Sequence, residues 1–159
     1  MRIYADTSFL VALLYPPDAG HDAAMAEFKK HFNAEWITSD WSQFETGNSL
    51  RQLCVQNQKL NPDVPEALRR YFKHLHRVGP FSLNMVDWQE LLKDSHQISA
   101  ACGNSIVARS ADLLHVAALE QITPDLFITR DKKQHELAVA RAFASQLVDV
   151  LPSPRKCIG

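Results

Sequence analysis

Hydrophobic positions along this chain switch repeatedly between a strand-like and a helix-like period. Arg2-Ile-Tyr-Ala-Asp6 reads as a short strand ending on an acid. Residues 9–14 open a helix, which Pro16, Pro17 and Gly20 close. A helix over 22–32, a strand at Trp36-Ile-Thr38 and a helix over 41–56 follow, the last too long for an ordinary strand. Val64, Leu68, Tyr71, Phe72 and Leu75 keep an i, i+3/i+4 rhythm after Pro62 and stop at Gly79-Pro80. Trp88, Leu91, Leu92, Ser95 and Ile98 repeat that rhythm and end near Gly103. Between them, 81–86 reads as a third strand. Helices over 111–121 and 132–144 flank a buried-type strand at 126–129, and 147–150 closes as a last strand.

Strands alternating with helices predict a three-layer α/β/α fold around a central, mainly parallel sheet. No internal repeat, low-complexity stretch or linker interrupts the pattern, so residues 1–150 read as a single domain with a tail over 151–159.

Composition narrows the chemistry. The chain has 159 residues, 46% of them hydrophobic and 22% charged, as expected of a globular protein. Its 17 basic and 18 acidic side chains give a net charge of −1. A nucleic-acid partner would therefore meet a local basic rim and bind transiently. Cys54, Cys102 and Cys157 are odd in number and far apart, which argues against a disulfide framework or a structural zinc site. The apolar run at 9–15 is too short to span a bilayer and poor as a signal peptide, so a cytoplasmic protein without a membrane partner is expected.

Four acids fall at places where an open α/β sheet gathers functional groups, beyond the carboxyl ends of its strands. Asp6 ends the first strand and Glu45 lies early in the helix after the second. Asp112 starts a late helix, and Asp131 follows the strand at 126–129. Like charges at one rim resist ionising together unless a cation joins them. Hard Mg²⁺ or Mn²⁺, with oxygen ligands, fits that need and could activate water for phosphodiester cleavage. Each acid also has a structural reading. Asp6 can cap a helix at Ser8, Ser42-x-x-Glu45 has the form of a capping box, Asp112 suits a first turn, and Asp131-x-x-Gln134 is cap-like. Capping explains an acid at one helix start but not its recurrence at strand–helix junctions across the chain.

The ordered set Ala5-Asp6-Thr7-Ser8, Glu45-x-x-Asn48-x-Leu50, Arg109-x-Ala111-Asp112-x-x-His115-x-Ala117 and Phe127-Ile-Thr129-Arg130-Asp131 resembles the PIN-domain family, most closely the VapC-type toxins. The resemblance runs from Ile3 to about Val150. It implies Mg²⁺- or Mn²⁺-dependent endoribonuclease activity on an RNA substrate, frequent homodimers and, for toxins, an antitoxin protein partner. By the same match Asp6, Glu45, Asp112 and Asp131 are catalytic metal ligands, directly or through water. The rival is a catalytically inactive PIN fold that docks RNA or protein, against which the four retained acids speak.

Other residues have two readings each. Thr7 and Thr129 can orient a metal-bound water or phosphate, or serve turns and caps. Asn48 and Gln52 share a helical face with Glu45 and can hold its carboxylate, or simply be polar surface. Arg109, Arg130, Lys132 and Lys133 bracket two of the acids and are candidates to grip RNA phosphates, with Arg51 a weaker one. His115 and His135 share faces with Asp112 and Asp131 and read as packing or supporting residues. His74 and His76 point to different helix faces and make a poor metal pair. Trp36, Trp41 and Trp88 read as core.

Overall fold

Short apolar runs form the spine of the molecule. They are β1 (Arg2–Ala5), β2 (Glu35–Ser39), β3 (Phe81–Asn84) and β4 (Leu126–Thr129), with β5 (Ser145–Leu147) at one edge. The computed structural model describes residues 1–57, 60–102 and 105–149, without the side chain of Cys54. Every strand pair is parallel and the order is β3-β2-β1-β4-β5. Around the sheet lie α1 (Thr7–Leu14), α2 (His21–Lys30), α3 (Asp40–Gln56), α4 (Asp63–Val78), α5 (Trp88–Cys102), α6 (Ser110–Ile122) and α7 (Lys132–Ala140).

Period-two alternation sorts the strand side chains between two cores. Ile3, Ala5, Trp36 and Ile128 pack with α1, α2 and Phe72 of α4. Tyr4, Ile37 and Phe127 face the other way, into the layer of α5, α6 and α7. A sheet buried on both faces by helices is the three-layer architecture that the sequence pattern predicts, and its described strands are wholly parallel. From β1 the chain works outward through β2 and β3, then returns to place β4 and β5 on the opposite side. The crevice beyond the ends of β1 and β4 is thus the topological switch point, where such sheets bind ligands.

The third strand ends at Asn84 rather than 86, the second helix at Lys30 rather than 32, and two boundaries late in the chain differ most from the sequence expectation. The seventh helix stops at Ala140, not 144. Ala142 takes a positive φ of 63°, and the Phe143 amide turns back to the Ala138 carbonyl at 2.9 Å. Phe143 reads as helical because it is apolar; it is apolar because it packs back under the turn. The last strand pairs through 145–147 rather than 147–150, with Ser145 opposite Phe127 and Leu147 opposite Thr129. Pairing is backbone business, and polar Ser145 and Gln146 can supply it at a half-exposed edge.

Trp36 is fully buried, as expected of core, but Trp88 is 42% exposed and Trp41 half-buried. Trp88 lies at the surface because its Nε1 donates to Asp40 Oδ2 at 2.8 Å. Cys102 is a buried free thiol. Val150, Gly103, Cys157 and the expected 151–159 tail lie outside the described residues. No described helix is long and apolar enough to cross a membrane.

Candidate active site

The site begins where β1 turns into α1. Asp6 is the N-cap of α1, and its Oδ1 accepts the Phe9 amide at 2.9 Å. Ser8 Oγ donates to the same carboxylate at 2.8–2.9 Å, and Thr129 Oγ1 donates to Oδ2 at 2.9 Å. Asp6 is fully buried. Burial pushes its carboxyl above the ordinary range, and the nearby His115 and these hydrogen bonds only partly oppose it.

Thr129 ties two strand ends together, because its hydroxyl also accepts the Asp131 amide at 2.8 Å. Asp131 in turn caps α7, its Oδ1 accepting from the Lys133 and Gln134 amides at 2.7 and 3.1 Å. Asp131 Oδ2 carries no hydrogen bond among the described residues. Gln134 extends the chain of contacts, its Nε2 donating to Asp112 Oδ1 at 3.2 Å. Asp112 sits in the first turn of α6, where Oδ2 accepts the Arg109 amide at 2.8 Å. So three of the four acids cap or box a helix, as their structural reading requires, and the strand topology gathers those helix starts at one edge.

Glu45 is held differently. The capping box of α3 pairs Ser39 with Ser42 rather than Ser42 with Glu45, which frees Glu45 for a longer contact. His115 Nε2 lies 2.6 Å from Glu45 Oε2, and a carboxylate can only accept, so this nitrogen donates. The other ring nitrogen is 3.2 Å from the Tyr4 hydroxyl, itself 2.9 Å from Ser39 Oγ. His115 is fully buried. Burial pushes the Glu45 carboxyl up, but the hydrogen bond and charge of His115, with Thr7, outweigh it and leave Glu45 below the ordinary carboxylate range. Burial also raises Tyr4, keeping it a neutral hydroxyl.

Glu45, Asp112 and Asp131 line one cleft of about 360 Å³, together with Thr7, Ser8, Arg109, Arg130 and Gln134. Asp6 and Thr129 are fully buried and reach the cleft through Ser8 and Asp131. Arg130 is anchored in the wall by Asp18 at 2.9 Å, and its guanidinium occupies the space a Cβ on Gly20 would fill. Asn48, Arg51, Gln52, Lys132 and Lys133 are not among the residues that line the cleft. Asn48 Oδ1 accepts from Arg51 at 3.0 Å and lines the groove between α3 and α4, while Ser49 takes the cleft side with Glu45. Lys132 is exposed, 3.7 Å from Glu136. Sequence reasoning names Ser8 and Gln134 only in motif and capping patterns and gives His115 only a packing or supporting role. An i, i+3 partner of a site acid is the available signal for His115.

The donor set suits a hard cation. It consists of oxygens, and the buried Gln134 Oε1 beside Asp112 has no hydrogen-bond partner in the described structure. No three Asp, Glu, His or Cys side chains among the described residues stand close enough together to hold an ion. A cation such as Mg²⁺, which keeps several waters, needs only one or two carboxylates as direct ligands.

The PIN domain family matches residues 3–140. The chain belongs to that family. No curated protein matches it by sequence. Among solved structures, this PIN domain is similar to VapC20 of Mycobacterium tuberculosis, a toxin that cleaves the sarcin–ricin loop. Identity is 16%, coverage 89% of this chain and 96% of that one, and the TM-score 0.66. It is similar to VapBC2 of Rickettsia felis bound to a promoter DNA fragment, at 10% identity, 94% and 100% coverage and a TM-score of 0.67. It is also similar to FitAcB of Neisseria gonorrhoeae, at 18% identity, 90% and 95% coverage and a TM-score of 0.63. At these identities the likeness is one of fold.

Proposed function

We propose that this PIN domain is an endoribonuclease dependent on Mg²⁺ or Mn²⁺, and the toxin of a toxin–antitoxin pair. The observation that carries the reading is the meeting of Glu45, Asp112 and Asp131 on one cleft at the switch point. Asp6, Glu45, Asp112 and Asp131 would hold the cation, one or two of them directly and the others through water. When bound, it supplies Lewis acidity toward a phosphodiester and acidifies water. The chain's own part is positioning. His115 fixes the Glu45 carboxylate, Thr129 clamps Asp6 to the Asp131 turn, and Gln134 spaces Asp131 from Asp112. Arg109 and Arg130 line the cleft and meet the phosphate charge. An antitoxin segment that occupies the cleft and a twofold homodimer complete the proposed assembly; the structural neighbours include VapBC2 and FitAcB.

The test is cleavage of an RNA panel by wild type beside Glu45→Gln, Asp112→Asn and Asp131→Asn. Each substitution removes one charge at nearly constant shape, and each is expected to slow cleavage at least on the order of 10–100-fold. Three variants cutting at the wild-type rate would leave Asp112 and Asp131 as helix caps and Glu45 as the partner of His115, and favour a binding module instead.

A further inference from the structure

Helix α3 separates the acid cleft from a second depression. One side of it presents Glu45 and Ser49 to the cleft. The other side, with Phe44, Gly47, Asn48 and Arg51, forms a groove against Arg69, Phe72 and Lys73 of α4, about 370 Å³ in volume. Beyond the groove, Arg70, Lys73, His74 and Arg77 line a further concavity on α4.

Most described cations elsewhere are paired, with the exposed Lys29, Arg109 and Lys133 as exceptions. Arg2, Lys30, Lys93, Arg130, Lys132 and Arg141 are each paired with an acid. Arg51, Arg70, Lys73 and Arg77 are exposed and take part in no ion pair among the described residues, and Arg69 has only the exposed Glu66. Asp40 lines the same groove, but its carboxylate is engaged by Trp88 Nε1 and the Val86 amide. Phe44 is 68% exposed at the groove. In a protein of net charge −1, this concentration of free cations beside an exposed aromatic ring is the footprint of single-stranded nucleic acid.

We propose that the α3–α4 groove and the basic face of α4 form a docking track for single-stranded RNA. The strand would cross α3 with its phosphates on Arg51, Arg69, Arg70, Lys73 and Arg77 and a base against Phe44, so that the next phosphodiester lies over the acid cleft. The track rests on the nuclease reading for its purpose, but not for its chemistry. An acidic protein segment would also meet the charge. RNA is favoured because the cations run on past the groove along α4, toward a repeating polyanion, and because Phe44 stands exposed for a base to stack on.

The experiment compares wild type with Arg70→Gln/Lys73→Gln/Arg77→Gln, three exposed side chains outside the cleft. Lys29→Gln/Lys30→Gln/Lys93→Gln is a control of equal charge loss. Binding of a labelled single-stranded oligouridine is followed by fluorescence polarisation in chelator across a salt series. The track variant should bind more weakly, with a log–log salt slope shallower by about 2, at about 0.7 for each phosphate no longer neutralised, while the control keeps the wild-type slope. Equal slopes in the two variants, or no RNA binding by wild type, would overturn the track. So would a polyglutamate peptide that binds wild type and not the track variant while RNA binding stays unchanged; the groove would then belong to an acidic protein segment. The two readings fail separately. With saturating RNA and Mn²⁺ the track variant should cut at the wild-type rate. A wild type that binds through the track yet cuts nothing removes the nuclease and leaves the track.

Discussion

Replacing Asp6 by Asn separates its two duties, because asparagine caps a helix nearly as well as aspartate but carries no charge for a cation. Its hydroxyl partners, Ser8 and Thr129, can turn to accept from an amide. Burial holds the Asp6 carboxyl above its ordinary range, so its contribution to stability is best below the unfolded value of about 3.9 and is lost as pH rises through the raised one. In chelator, Asp6→Asn should therefore melt progressively higher than wild type as pH climbs from acid to neutral, and added Mg²⁺ should raise the wild type more. Glu45 has the opposite sign. Its depressed carboxyl stabilises at neutral pH and ceases to as pH falls through the folded value. Melting curves against pH read the Asp6 effect, and a flat or reversed difference contradicts it. At this scale the acids are legible in the sequence because motif and strand end coincide. Asn48 is not, because three residues turn a helix by about 300° and four by about 40°, so Ser49 rather than Asn48 follows Glu45 into the cleft. His115 is obscured by its setting, since a single histidine among Leu114, Val116 and Ala117 reads as packing.

Elements owe their positions to caps as much as to periodicity. The long amphipathic patterns mark α4 and α5 nearly to the residue, since only a helix gathers apolar side chains at that spacing onto one buried stripe. The α7 end and β5 escape the pattern because a turn at Ala142 leaves no mark in hydrophobicity. Near the start of α5 the pattern leaves something over. Met85, Trp88 and Leu92 are 72%, 42% and 52% exposed, more apolar surface than one helix end in a small domain needs. If that face carries the proposed twofold contact, light scattering across a concentration series should approach twice the 18.0 kDa chain mass, and Leu92→Glu should return it to monomer. A wild type that stays monomeric throughout removes the dimer and leaves the cleft untouched.

For the whole molecule, the strand order decides the chemistry available. Placing β1 beside β4 brings two helix caps, Asp6 and Asp131, onto one threonine, and α6 and α3 then deliver Asp112 and Glu45 to the same opening. The sequence implies a parallel sheet but not its order, because adjacency of distant strands is a property of the packed layers rather than of any local pattern. Among the described residues no cysteine lines the cleft, and neither of its serines, Ser8 and Ser49, is hydrogen-bonded to an imidazole base, so the account makes cleavage depend on a cation. The direct measurement is the rate at which wild-type protein cuts an RNA panel in Mg²⁺ or Mn²⁺ and in excess chelator. The account predicts cleavage with either cation, none in chelator, and recovery when the cation is restored. Cleavage that continues undiminished in chelator would contradict it.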